Sequence, residues 1–103
     1  MSSTRIERDG AFSFHVEGEM TFATAKALLQ QSADFFIKPQ LLEVDLSRVT
    51  AADSAGLALV LEWKSMAIRL GGQIEVKAIP DAMMSIAHLC RIESLLLPDE
   101  AAS

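Results

Sequence analysis

Val44-Asp45-Leu46-Ser47-Arg48-Val49-Thr50-Ala51-Ala52-Asp53-Ser54-Ala55-Gly56-Leu57 decides the fold of this chain. Residues 41–46 form a compact apolar run interrupted only by Glu43 and Asp45, the pattern of a buried strand. Residues 47–53 then read as a short loop. A helix is expected over 56–70, stopped by the Gly71-Gly72 pair. Asp53 and Ser54 fall near its N-cap, where the first backbone N–H groups have no intrahelical partner. A hydroxyl in that place has two readings. The commoner one is a structural cap. The other is a phosphate acceptor, because free N–H groups and the helix dipole favour an anion.

Working outward, residues 6–8 and 11–17 read as a hairpin with Asp9-Gly10 as its turn. Phe12, Phe14 and Val16 alternate with Ser13, His15 and Glu17, so one face of the second strand is expected to be buried and His15 to face solvent. Gly18 is expected to break the strand. Thr21 then caps a helix over 22–36, whose inner face is Phe22, Ala25, Leu28, Leu29, Ser32 and Phe35 or Phe36. Lys38-Pro39-Gln40 is a loop. Residues 73–78 alternate as a further strand, with Ile74 and Val76 on one face. Pro80-Asp81 opens a third helix to about Cys90, with Ile86, Leu89 and Cys90 as expected core contacts. The segment 92–97 is a short apolar tail that docks as an edge strand or final turn, ended by Pro98. The order β-β-α-β-α-β-α implies a mixed, mostly parallel α/β sheet with an N-terminal hairpin and helices packed on it.

The 103 residues suit one domain, 1–103. They are 50% hydrophobic and 22% charged, which argues against disorder. The net charge is −5 and the nine Lys and Arg residues are scattered, so nucleic acid is a poor partner. Cys90, the single cysteine, cannot form an internal disulfide and is expected to be a buried small hydrophobe in a reducing compartment. The start Met1-Ser2-Ser3-Thr4-Arg5 lacks the apolar stretch of a signal peptide. The most apolar window, 55–68, contains Glu62, Lys64 and Ser65 and falls short of a membrane span.

Catalytic chemistry finds little support. His15 and His88 lie in separate elements without metal-ligand spacing. His88 and Cys90, two apart on a helix, point in different directions. Asp45 ends a strand, where loop amides are its natural partners. No cofactor, no metal and no enzymatic activity are expected. The long helix is more informative. Leu57, Val60, Ala67 and Leu70, with Trp63 or the stem of Lys64, form one stripe toward the sheet. Leu59 and Met66 flank it on one side, Leu61 and Ile68 on the other, leaving only Ala58, Glu62, Ser65 and Arg69 for solvent. Either neighbouring helices cover those flanks, or an apolar patch marks a protein partner.

Val44-Asp45-Leu46-Ser47-Arg48-Val49 followed by Asp53-Ser54-Ala55-Gly56-Leu57 resembles the signature of STAS domains, the fold of bacterial anti-sigma factor antagonists. Gly18-Glu19-Met20-Thr21 and the helix behind it are similar to that family's early strand–loop–helix. Two roles follow from the resemblance. One is the small STAS subunit of the Mla phospholipid-transport ABC complex, which binds and supports the complex's ATPase subunit in maintaining outer-membrane lipid asymmetry. The other is an anti-sigma factor antagonist, in which Ser54 would be phosphorylated by a serine kinase that is itself the anti-sigma factor. The apolar helix start Gly56-Leu57-Ala58-Leu59-Val60-Leu61 and the segment 89–98 resemble the transport subunit more. So does Ala51-Ala52, where sigma regulators carry a bulkier pair; Ser54, where the transport subunit often has Thr, matches the regulators. The resemblance therefore implies a cytoplasmic protein held at the inner membrane through its complex. Its partner surface is expected at Asp53, Ser54, Gly56, Leu57, Leu59, Leu61 and Met66, with Ser54 as candidate phosphoacceptor or partner contact.

Overall fold

In the computed structural model, which describes residues 4–96, four strands form one sheet in the order β1-β2-β3-β4. Strands β1 (Arg5–Gly10) and β2 (Ser13–Met20) make an antiparallel hairpin. Helix α1 (Ala25–Ser32) and a 3₁₀ turn (Ala33–Phe35) lead to β3 (Leu41–Ala52). Helix α2 (Ser54–Arg69) leads to β4 (Gln73–Lys77), followed by α3 (Asp81–Leu89) and a 3₁₀ turn (Glu93–Leu95). β3 runs parallel to both β2 and β4. The mixed α/β sheet with its N-terminal hairpin is the one expected from the order of elements.

Period-two alternation builds the core. Phe14 and Val16 of β2, Leu42, Val44 and Leu46 of β3, and Ile74 and Val76 of β4 are buried. They share one cluster with Leu28 of α1, Leu57, Val60, Trp63 and Ala67 of α2, and Met83 and Ala87 of α3. The alternate side chains of the sheet, among them Glu17, Glu43, Asp45, Glu75 and Lys77, are polar and half-buried or exposed. At the end of α2, Gly71 adopts φ +83°, donates to the Ile68 carbonyl, and Gly72 donates to that of Ala67. This pair of bonds is a Schellman cap, and the left-handed residue it needs is the glycine expected as a helix stop.

Helix α3 ends the same way, with Arg91 donating to the His88 carbonyl and Ile92 to that of Ala87. Here the left-handed position is held by Arg91, at φ 59°. That conformation costs an L-residue roughly 1–2 kcal/mol, part of which glycine loses again through its freer unfolded chain. Arg91→Gly is expected to stabilise the fold by up to about 1 kcal/mol. Urea unfolding checks this, and an unchanged or lower midpoint would contradict it.

Several local expectations are corrected. The hairpin turns at Ala11 and Phe12, with Gly10 opposite Ser13, so Phe12 sits half-exposed at the tip instead of in the core. Gly18 does not end β2, which pairs with β3 through Met20. For the same reason β3 continues to Ala52 where a loop was expected. Helix α1 starts at Ala25: Thr24 is its N-cap, and the Thr24 hydroxyl accepts from the Thr21 N–H and donates to the Glu19 carbonyl. Phe22, expected inside, is exposed. Helix α3 buries Met83 and Ala87, and Leu89 and Cys90, at its end, are exposed. The chain turns back after them and supplies Leu96 to the core. Leu97 and Pro98, like Met1, Ser2 and Ser3, lie outside the described residues.

Candidate functional site

Asp53 organises the start of α2. As N-cap residue its Oδ1 accepts from the N–H groups of Ala55 (2.8 Å) and Gly56 (3.3 Å). Its Oδ2 accepts from the Phe22 N–H at 3.1 Å, and its own N–H donates to the Met20 carbonyl at 3.2 Å. One carboxylate thus ties the β2–α1 connection to the first turn of α2. The Phe22 N–H, followed by those of Ala55 and Gly56, holds the Asp53 carboxyl below its ordinary range against the opposing effect of burial. The stability it lends is present above the ordinary value of 3.8 and fades as pH falls through the lower folded value.

Ser54 is the first residue of α2 and is exposed. Across the Asp53 tether stands Phe22, whose side chain is 87% exposed, an unusual state for a large aromatic. Ala51 and Ala58 are exposed nearby in the chain, on either side of Ser54. Gly56 lets the two segments meet, since a Cβ there would strike the Met20 carbonyl oxygen. The result is a small rim where Ser54, next to Asp53 in the chain, and Phe22, bonded to Asp53 through its N–H, are both exposed.

The other residues expected at the partner surface lie elsewhere. Gly56, Leu57 and Leu59 are buried in the chain's own core, and Leu61 and Met66 are half-buried. At Leu59 that flank of α2 is covered by its neighbours, while Met66 farther along it is covered only in part. Ile68, 69% exposed, lies toward the far end of the helix. Phe22 is the site residue that reading the sequence missed. Its apolar character at helical spacing from Ala25 and Leu29 pointed inward, and the carboxylate that ties its backbone N–H to α2 lies 31 residues away.

His88 is exposed and its Nδ1 lies 2.9 Å from Glu93 Oε2. The Asp45 carboxylate accepts from the Ser47 N–H, which holds it below its ordinary range; both residues lie within β3, so Asp45 does not end the strand as expected. Among the described residues no group of three or more His, Cys, Asp or Glu could hold a metal ion. None of their helices is long and apolar enough to cross a membrane. An open groove of about 500 Å³, lined by Leu41, Ile68, Ile74, Val76 and Leu96, lies at the β4 edge and the far end of α2.

A family model described as "Mlab, STAS domain" matches residues 5–98. The chain belongs to the MlaB-type STAS domain family. This STAS domain is 33% identical over 55 residues to the intermembrane phospholipid transport system binding protein MlaB of Escherichia coli (strain K12), a stretch covering 53% of this chain and 57% of that protein. The protein of the same name in Shigella flexneri matches equally. The match thus spans little more than half the length of those relatives. In three dimensions the domain is similar to the unphosphorylated anti-sigma factor antagonist SpoIIAA, with a TM-score of 0.63, 13% identity, and 84% and 83% of the two chains covered. It also resembles part of the murine Solute Carrier 26 family member A9 anion transporter, with a TM-score of 0.59, 20% identity, and 79% and 14% covered. At these identities the two structures speak for the fold alone. The matched residues 5–98 include the Asp53–Ser54 rim, where β3 hands over to α2.

Proposed function

We propose that this STAS domain is a non-catalytic subunit that binds the ATPase of an ABC phospholipid-transport system maintaining outer-membrane lipid asymmetry. It works on the cytoplasmic side, held at the inner membrane through that complex. The observation that carries the reading is the rim itself, an exposed Ser54 beside an exposed Phe22, built on the MlaB-type signature. Aromatic side chains anchor protein interfaces because they bury a large area with few rotamers to freeze. The likeness to the phospholipid-transport MlaB proteins supports this kind of partner. The partner surface predicted from sequence is accordingly narrowed to Ser54 and Asp53 with Phe22, and the half-buried Leu61 and Met66 beyond them. Gly56, Leu57 and Leu59 support it from inside.

Adding negative charge at Ser54 tests the surface. A glutamate there would stand beside the ionised Asp53 and would have to be desolvated against the partner. Ser54→Glu is expected to weaken association with the ATPase subunit at least tenfold in a titration of the purified proteins, with the unfolding midpoint unchanged. Unaltered binding would remove Ser54 from the interface.

A second reading, an anti-sigma factor antagonist switched by phosphorylation of Ser54, draws on the same exposed hydroxyl. It requires a serine kinase partner and a phosphate on the Ser54 peptide. Mass spectrometry of the protein from its own cells separates the two readings.

A further inference from the structure

His15 lies on the sheet face opposite the core, yet it is only 9% exposed, where alternation alone predicted an open histidine. Its cover is charged. Nδ1 is 2.7 Å from Asp9 Oδ1 on β1, and Nε2 is 2.8 Å from Glu17 Oε2 on β2. Glu17 is also paired with Arg5 at 3.2 Å and Arg48 at 3.3 Å, and Arg5 lies 3.6 Å from Glu7. Glu7 of β1 and Asp45 of β3 stand opposite His15 in the two ladders. The groups facing the imidazole are thus Arg5, Glu7 and Asp9 from β1, Glu17 from its own strand, and Asp45 and Arg48 from β3.

An ionised carboxylate only accepts hydrogen bonds, and a neutral imidazole has one N–H. A neutral His15 would set one ring lone pair against a carboxylate oxygen less than 3 Å away. Two short contacts to two carboxylates require two N–H donors. Glu17 is held in its ionised form first by His15 itself and further by Arg5 and Arg48.

The position of Asp9 adds the mechanical consequence. The β1–β2 register slips between Arg8 and Gly10, so Asp9 occupies an irregularity of a strand that, among the described residues, pairs with β2 alone. Such bulges re-aim side chains, and this one brings the Asp9 carboxylate to the imidazole. Near its turn β1 is also held by its last pairs with β2 and by Arg8, whose guanidinium lies 4.2 Å from the Phe35 ring centroid. The exposed residues of β1 still outnumber its half-buried ones, and the Ile6 N–H bond to Gln31 lies toward its opposite end.

We propose that His15 is carried as an imidazolium that clasps the turn end of β1 to the sheet, and that loss of its proton releases that end, making the hairpin a pH-responsive element. This goes beyond the partner-binding reading and does not depend on it. The hydrogen bonds that His15 donates to Glu17 and then to Asp9 raise its titration above 6.5, against burial and the nearby Arg48. The clasp is therefore complete below that value and is lost as pH rises through the higher folded value.

Nitrogen-detected NMR of the imidazole and amide hydrogen exchange of the full chain test the proposal. Both ring nitrogens are expected to carry protons at neutral pH. Asp9→Asn, whose amide can donate to a neutral ring, should lower the midpoint. Across the titration, protection of β1 amides should fall about tenfold relative to those of α2, after correction for intrinsic exchange. His15→Gln should show weakened β1 protection with no such step. A single neutral tautomer at neutral pH, or β1 protection that follows α2 throughout, would overturn the proposal.

Discussion

Trp63→Ala is expected to be the most damaging single change in this chain. The indole is completely buried, and its Nε1–H donates to the Ser32 hydroxyl of α1 at 2.8 Å. Its ring meets Phe14 of β2 edge-on, with centroids 5.4 Å apart, and Phe14 lies 4.5 Å from Phe35. The Arg8 guanidinium covers Phe35 from β1 at 4.2 Å. One side chain thus joins α2 to α1 and, through a run of rings, to the hairpin. Removing it costs about 3–5 kcal/mol in lost burial and cavity, set against a total stability of about 5–15 kcal/mol for such a domain. The Ser32 hydroxyl still donates to the Leu29 carbonyl, so the loss is chiefly one of packing. Urea denaturation followed by far-UV circular dichroism should show the unfolding free energy of Trp63→Ala lowered by about 3–5 kcal/mol. A variant losing less than about 1 kcal/mol would mean that α2 is anchored otherwise.

Gly56→Ala comes next, for a different reason. Alanine improves helix propensity by about 1 kcal/mol over glycine, so the exchange would stabilise an open helix. Here the added Cβ meets the Met20 carbonyl oxygen and also lies 3.0 Å from Met20 Cβ and 3.1 Å from its carbonyl carbon. The obstacle is backbone and cannot rotate away. β2 and the first turn of α2 have to part, which strains the Asp53 N–H bond to that same carbonyl. Overpacking of this kind costs about 1–3 kcal/mol or more, and against an immovable group the upper end applies. The net result expected is a loss of about 2 kcal/mol, read from urea unfolding, together with weaker partner binding because Phe22 and Ser54 move apart. A stabilised Gly56→Ala would show that propensity wins and that the two segments are not in contact.

The architecture was legible because its decisive signals are local. Phe14-His15-Val16, Leu42 through Leu46, and Ile74-Glu75-Val76 each announce their face by alternation. Asp53 ahead of an apolar helix and the Gly71-Gly72 stop mark the two ends of α2 within one or two residues. What escaped depends on partners far away in the chain. The extension of β3 through Ser47, Arg48 and Thr50 carries no apolar alternation, and it is a strand because β2 pairs with it. Phe22 lies ahead of α1 with its backbone N–H tied to Asp53, and His15 is covered because Asp9 and Glu17 close over it. The cap at Ser54 and Asp53 was readable, but the aromatic half of the rim was not. Leu57 and Leu59 were assigned to a partner because the coverage of α2 by its neighbours cannot be counted from one helix.

Site-specific photo-crosslinking tests the account of the docking rim most directly. A benzoylphenylalanine in place of Phe22 keeps an aromatic group at the rim, and one in place of Ile68 samples an exposed position toward the far end of α2. In cells carrying the phospholipid-transport ABC complex, the account predicts a crosslink to the ATPase subunit from position 22 and none from position 68. A crosslink from position 68 with none from position 22 would place the partner at the opposite end of α2 and contradict it.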